Sequence, residues 1–96
     1  MKVFETPGAK LLMQSLLLLE NEEECQAFLE DILTTGELLA ISQRLLVAKY
    51  LTEGKVYSKI AEETGASSAT ISRVNRSYIY GSDGYKIVFD RMEDGK

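Results

Sequence analysis

Four cations and a few short side chains carry the chemistry open to this chain. Between residues 54 and 80, Lys55, Lys59, Arg73 and Arg76 stand against Glu62 and Glu63, a local balance of +2. Cations grouped in this way neutralise phosphates and release the counterions that screen them. Ser68, Ala69 and Ser72 lie between the lysines and the arginines. Their side chains are short enough to let a backbone approach base edges. A serine hydroxyl can bond to several bases, and Ala69 can touch a thymine methyl. Residues 1–53 hold four basic and nine acidic side chains, and the whole chain has a net charge of −4. Local sign governs a docking surface more than the total does, while the acidic half weakens non-specific attraction.

Catalysis has no comparable basis. The chain has no histidine and a single cysteine. It offers no phosphate-binding glycine loop and no nucleophile with an evident base. Glu62 and Glu63 are adjacent, so on a helix they point apart instead of converging on a substrate. Cys25 is alone, so neither an internal disulfide nor a zinc-ligand cluster is available, and a half-buried thiol is expected. No enzymatic activity, metal or cofactor is expected.

The elements that must position the cations read as a helix-turn-helix over residues 55–76, KVYSKIAEETGASSATISRVNR. Ala61 is small, so a second helix can cross close to the first. Gly65 can take the positive φ that ends one helix and turns the chain. Ser67 or Ser68 can cap the next helix. Ile60, Ile71 and Val74 can then meet in a shared core, because 71 and 74 lie on one helical face. The opposite face carries Ser68, Ala69, Ser72 and Arg73, with Asn75 and Arg76 further along. That face is short, polar and basic, as suits insertion into a DNA major groove.

The rest of the chain reads as helix. A first helix of about 8–20 follows Pro7 and Gly8, and its leucines spread almost around the axis. Such a helix must be covered on more than one side. Asn21 can cap a second helix, with Glu22, Glu23 and Glu24 in its first turn and Ala27, Phe28, Ile32 and Leu33 expected to be buried. A break at Thr34–Gly36 leads into a long helix of about 36–53, again apolar on most faces, which Gly54 ends. The helix-turn-helix pair is expected at 57–64 and 68–79. Gly81 stops the second, and Ser82 or Asp83 can cap a last helix through Tyr85, Phe89 and Met92. The reading is all-α, about six helices in one domain of 96 residues. A domain this small hides only about 60–65% of its chain surface when it folds alone. With 45% hydrophobic residues, part of its apolar surface is expected in a subunit interface. The apolar run Leu11–Leu19 is interrupted by Gln14 and Ser15 and too short to span a bilayer. The start has no signal-peptide pattern, so no membrane partner is expected and the cytoplasm is the expected location.

The stretch GASSATISRVNRS, Gly65 to Ser77, resembles the recognition region of the tryptophan repressor family. The likeness reaches back through LTTGELLAISQRLLVAKYLTEGK, Leu33 to Lys55. The run from EEECQAFLEDI through QRL, VAKYL and ATISRVNR to the YGSDGYK tail is similar to the YerC/YecD branch of that family. The resemblance implies an intertwined homodimer whose N-terminal helices interlock, with residues 1–54 as dimerisation core, 55–80 as helix-turn-helix and 81–96 as C-terminal helix. It implies double-stranded DNA as partner. Ser68, Ala69 and Ser72 fall where the family approaches base edges, and Thr70 where it meets phosphate. Lys59 falls near a family arginine on the first helix.

The family also binds L-tryptophan beside the reading head. By resemblance, Arg44 and Arg73 match the arginines that flank the indole. Leu33 and Thr34 match the helix end whose carbonyls receive the amino group. Val74, however, stands where the repressor has a glycine. A branched side chain there takes space the ring needs, so tryptophan is not expected as corepressor. A pocket closed by its own side chains is the favoured expectation; a small carboxylate or other anion between the arginines is the other.

Each of these residues has a plainer reading. Arg73 can hold a carboxylate, meet phosphate, or pair with an acid of a second subunit. Arg44, in an apolar helix, is expected in an ion pair. Arg76 and Lys59 are expected on phosphates. Tyr78, Tyr80 and Tyr85 can stack on nucleotides, but packing the last helix on the core is the favoured expectation. Two functions follow: a sequence-specific DNA-binding regulator, expected to repress, or a protein-interaction module that keeps the helix-turn-helix shape.

Overall fold

The computed structural model describes residues 2–95. Among them it holds a short 3-10 turn, Lys2–Glu5, six α-helices and no strand. The helices are α1 (Pro7–Leu18), α2 (Glu22–Ile32), α3 (Thr35–Thr52), α4 (Tyr57–Thr64), α5 (Ser68–Tyr80) and α6 (Gly84–Asp94). The all-α reading and its helix order hold. The chain divides into two compact units, one ending at Thr35 and one beginning at Gly36.

The N-terminal unit is built from well-marked helix ends. Thr6 caps α1, its hydroxyl oxygen accepting from the Ala9 N–H, and Pro7 sits in the first turn, where its missing N–H costs nothing. Asn21 caps α2 by accepting from the Glu24 N–H at 2.9 Å. Glu24 reaches back to accept from the Glu20 N–H at 2.9 Å, one residue before the cap, which fixes the chain's entry into the helix. The three glutamates occupy the first turn of α2, where the helix dipole favours them. Yet α1 has no buried residue: Leu17 is 86% and Leu18 76% exposed. On α2 the expected burial fails in part. Phe28 and Leu33 are half-buried, but Ala27 and Ile32 are exposed. The periodicity identified the apolar face without identifying what covers it. Cys25 is half-buried, as expected.

The C-terminal unit has the core. Val47 and Ala48 of α3, Ile60 of α4, Ala66 of the turn, Ile71 and Val74 of α5 and Phe89 of α6 form one buried cluster. Ile60, Ile71 and Val74 meet as the spacing of the motif requires. Ile60, Ile71 and Val47 are among the fully buried side chains, each worth roughly 1.5–3 kcal/mol of transfer from water. Ala61, Tyr50, Leu51 and Tyr85 pack on its edge. Tyr85 stacks on Phe89 at 6.2 Å between ring centroids, and Lys49 lies over the Phe89 ring.

Gly54 closes α3 with φ of +79°. Its N–H donates to the Leu51 carbonyl and the Lys55 N–H to the Tyr50 carbonyl, the paired bonds of a Schellman end. The entry to α6 differs from expectation. Asp83 occupies the capping position in the left-handed region, φ 62°, and its side chain makes no capping bond. Aspartate tolerates that backbone, so Asp83 serves the turn and leaves the cap unmade.

Candidate nucleic-acid interface and adjoining cleft

The geometry of the reading head starts at Gly65. Its φ of 73° ends α4, and its N–H donates to the Ala61 carbonyl at 2.9 Å. Thr64 tightens the same turn. Its hydroxyl donates to the Ile60 carbonyl at 2.7 Å and accepts from the Ala66 N–H at 3.1 Å. Gln43 reaches across from α3, its amide donating to the Thr64 carbonyl at 3.2 Å. Ser67, not Ser68, caps α5 by accepting from the Thr70 N–H at 3.1 Å. Ser68 is thereby freed as the first residue of the helix. Buried Ile71 and Val74 fix the inner face of α5. The rotation of the outer face follows from these anchors.

That outer face carries Ser68, Ala69, Ser72, Arg73 and Arg76, all exposed. No acidic residue lies on α5. Thr70 is half-buried, and the Ser67 hydroxyl donates to its Oγ1 at 3.1 Å. The cations of α4 and its approach are differently placed. Lys55 is paired with Glu63 at 2.7 Å and lies 3.6 Å from the centroid of the Tyr50 ring. The hydrogen bond that it donates to Glu63 holds its ammonium above the ordinary lysine pKa. Lys59 sits 3.7 Å from Glu62 with both side chains largely exposed. The positive balance of the segment is therefore concentrated on Arg73 and Arg76.

Beside the outer face lies a cleft of about 300 Å³ within the C-terminal unit, between α3, α5 and α6. Arg44 and Arg73 both line it, with Thr70, Val74, Ser77 and Tyr85. Val74 is 2% exposed, so it forms floor fixed by the core and cannot turn away. Within this unit the space is an open cleft and is not filled by its own side chains. Among the described residues Arg44 forms no ion pair, and it is exposed. The expected pairing of Arg44 is thus absent within one chain, because α3 turns this face outward. Leu33 and Thr34 belong to the N-terminal unit.

Two contributors, Ser77 and Gln43, were not singled out from the sequence, and Tyr85 was expected only as packing. Ser77 follows Arg73 by one turn and so shares its face, a spacing open to inspection. Gln43 precedes Arg44, and nothing in its type marked it as the brace of the α4–α5 turn. Tyr85 reaches the cleft from α6. Tyr78 is half-buried and Tyr85 packs as expected, but Tyr80 is 82% exposed and does not pack α6 on the core. Among the described residues no helix is long and apolar enough to cross a membrane, and no group of three or more acidic or cysteine side chains could hold a metal ion.

Comparison with known proteins agrees with this geometry. Residues 8–93 match the family model described as Trp repressor protein. The chain is 45% identical to the uncharacterized protein YerC of Bacillus subtilis (strain 168), over 98% of this chain and 92% of that one. Among solved structures, a TrpR-like protein from Eubacterium eligens ATCC 27750 superimposes with a TM-score of 0.93 at 48% identity, covering 97% of this chain and 96% of that one. A structure from Staphylococcus aureus matches with a TM-score of 0.87 at 45% identity, over 92% and 88% of the two chains.

Proposed function

The chain belongs to the Trp repressor family, in its YerC branch, and from that premise we propose that it is a sequence-specific DNA-binding regulator that represses transcription as an intertwined homodimer. One observation carries the reading. The exposed face of α5 presents short side chains first and arginines after, without a carboxylate, on a helix whose rotation the buried Ile71 and Val74 fix. Ser68, Ala69 and Ser72 then meet base edges, while Arg76, with Lys59 and Thr70 beside the groove, meets phosphates. Residues 1–54 supply the dimerisation core, 55–80 the reading head and 81–96 the last helix, so the assembled chain works as one domain in the cytoplasm. No catalysis is involved.

The effector is a separate matter. The fixed Val74 floor argues against tryptophan. The cleft between Arg44 and Arg73 suits a small carboxylate held by a bidentate guanidinium contact.

The alternative, a protein-interaction module, draws support from one observation. Lys55 and Lys59 are each engaged by a glutamate, which lowers the charge offered to DNA. Selection of bound fragments from a genomic library, followed by a salt titration and footprinting, decides between them. The regulator protects two half-sites about one helical turn apart, and its affinity falls steeply with salt. Ser68 or Ser72 substitutions then change the preferred sequence. Absence of any salt-dependent binding to the library would favour the interaction module.

A further inference from the structure

The tyrosines of this chain differ in what they do. Tyr50 lies under Lys55, Tyr85 stacks on Phe89, and Tyr78 is half-buried. Tyr80 is 82% exposed and, among the described residues, has neither a ring contact nor a hydrogen bond. It is the last residue of α5. At about 3.6 residues per turn, positions 69, 76 and 80 return to one side of the helix, so Tyr80 continues the stripe that Ala69 and Arg76 begin. Arg76 is four residues back, a direct surface neighbour.

Length decides what Tyr80 can reach. From Ala69 to Tyr80 the helix rises about 16 Å at 1.5 Å per residue. The major groove is about 12 Å wide. If Ser68, Ala69 and Ser72 meet base edges, Tyr80 emerges at the wall of the groove, beyond the bases. The chemistry there is deoxyribose and phosphate. A phenol suits both: its ring covers the sugar and its hydroxyl donates to a phosphate oxygen. With no carboxylate on α5, nothing on that helix repels the phosphate.

We propose that Tyr80 is a DNA-backbone contact, packing on the sugar and donating to a phosphate at the groove wall one turn beyond Arg76; this rests on the DNA-binding reading above. The contact fixes how far α5 slides along the groove, and so it positions the base-reading residues without reading sequence itself.

The test compares Tyr80→Phe, Tyr80→Ala and Arg76→Ala with the wild type on a library-selected duplex and on a random duplex, over a range of salt. Tyr80→Phe removes one hydrogen bond and is expected to weaken binding about fivefold on both duplexes. Tyr80→Ala is expected to weaken it further. Because tyrosine carries no charge, both variants keep the wild-type salt slope, whereas Arg76→Ala lowers it by about one. Such an exposed side chain leaves folding intact on substitution. Wild-type affinity in both Tyr80 variants would overturn the assignment while leaving DNA binding in place. So would a change in sedimenting mass in Tyr80→Ala, which would mean that a second copy covers the ring. A wild type that binds neither duplex would overturn the DNA reading and Tyr80 with it.

Discussion

Helices α1 and α5 are of similar length, and one chain satisfies only the second. α5 buries Ile71 and Val74 and turns its polar residues out. α1 buries nothing, although most of its residues from Leu11 to Leu18 are apolar. A helix with one apolar stripe is satisfied by one neighbour, and its other face is free for a ligand. A helix apolar all round demands cover on several sides. The uncovered leucines of α1, with Leu39, Leu45 and Leu46 of α3 also exposed, therefore argue for a second chain. On the proposed function, the difference separates assembly from recognition: the N-terminal helices would pair the chains, and the pairing would space the two α5 helices on DNA.

The sharpest way to break this contrast is a charge on the uncovered leucines. Leu16 and Leu45 are 41% and 40% exposed in the single chain. If they stayed so, Leu16→Asp or Leu45→Asp would cost only about 1–2 kcal/mol, from helix propensity and the area already covered. Buried in a dimer, an unpaired carboxylate costs several times that, and folding and association are lost together. Circular dichroism against concentration reads the outcome.

A smaller effect is expected at Val74, where α5 meets both core and cleft. Val74→Gly removes a buried side chain and places glycine within a helix, a loss of roughly 2–3 kcal/mol. Calorimetry with L-tryptophan is expected to detect no binding to the wild type and binding gained in Val74→Gly. Micromolar binding by the wild type would contradict the steric argument.

Smaller still are the exposed charges. Arg76→Ala is expected to weaken binding to all sequences and reduce the salt slope by about one. Glu62→Gln frees Lys59 and is expected to move affinity the other way, by about twofold, since an exposed pair is weak. A drop in affinity in Glu62→Gln would mean that Glu62 acts on the fold and not as a brake on Lys59.

Much of the architecture was legible because punctuation agreed with periodicity. α4 lies at 57–64 as read, since Gly54 and Gly65 mark the chain on either side of it. Ser67 and Asn21 cap where their types suggest. Where the single chain departs from the reading, one cause recurs. Residue type states what a side chain can do, not which surface it meets. Asp83 could cap or take the left-handed turn, and the turn prevailed. Arg44 was expected to be paired because its helix is apolar, but the face that carries it is not covered within the chain. Ala27 and Ile32 fit a buried stripe, yet lie exposed for the same reason. Of the two roles open to Tyr80, core packing fails, because the helical phase puts it on the outer face.

The claim beneath all of this is that the leucines of α1 are covered by another copy of the chain. Sedimentation equilibrium of this chain at micromolar concentration, with helix content measured on the same sample, tests it directly. The account predicts a single species of twice the chain mass, with helix lost as dilution separates the subunits. A monomer that keeps its full helix content at that concentration would contradict it.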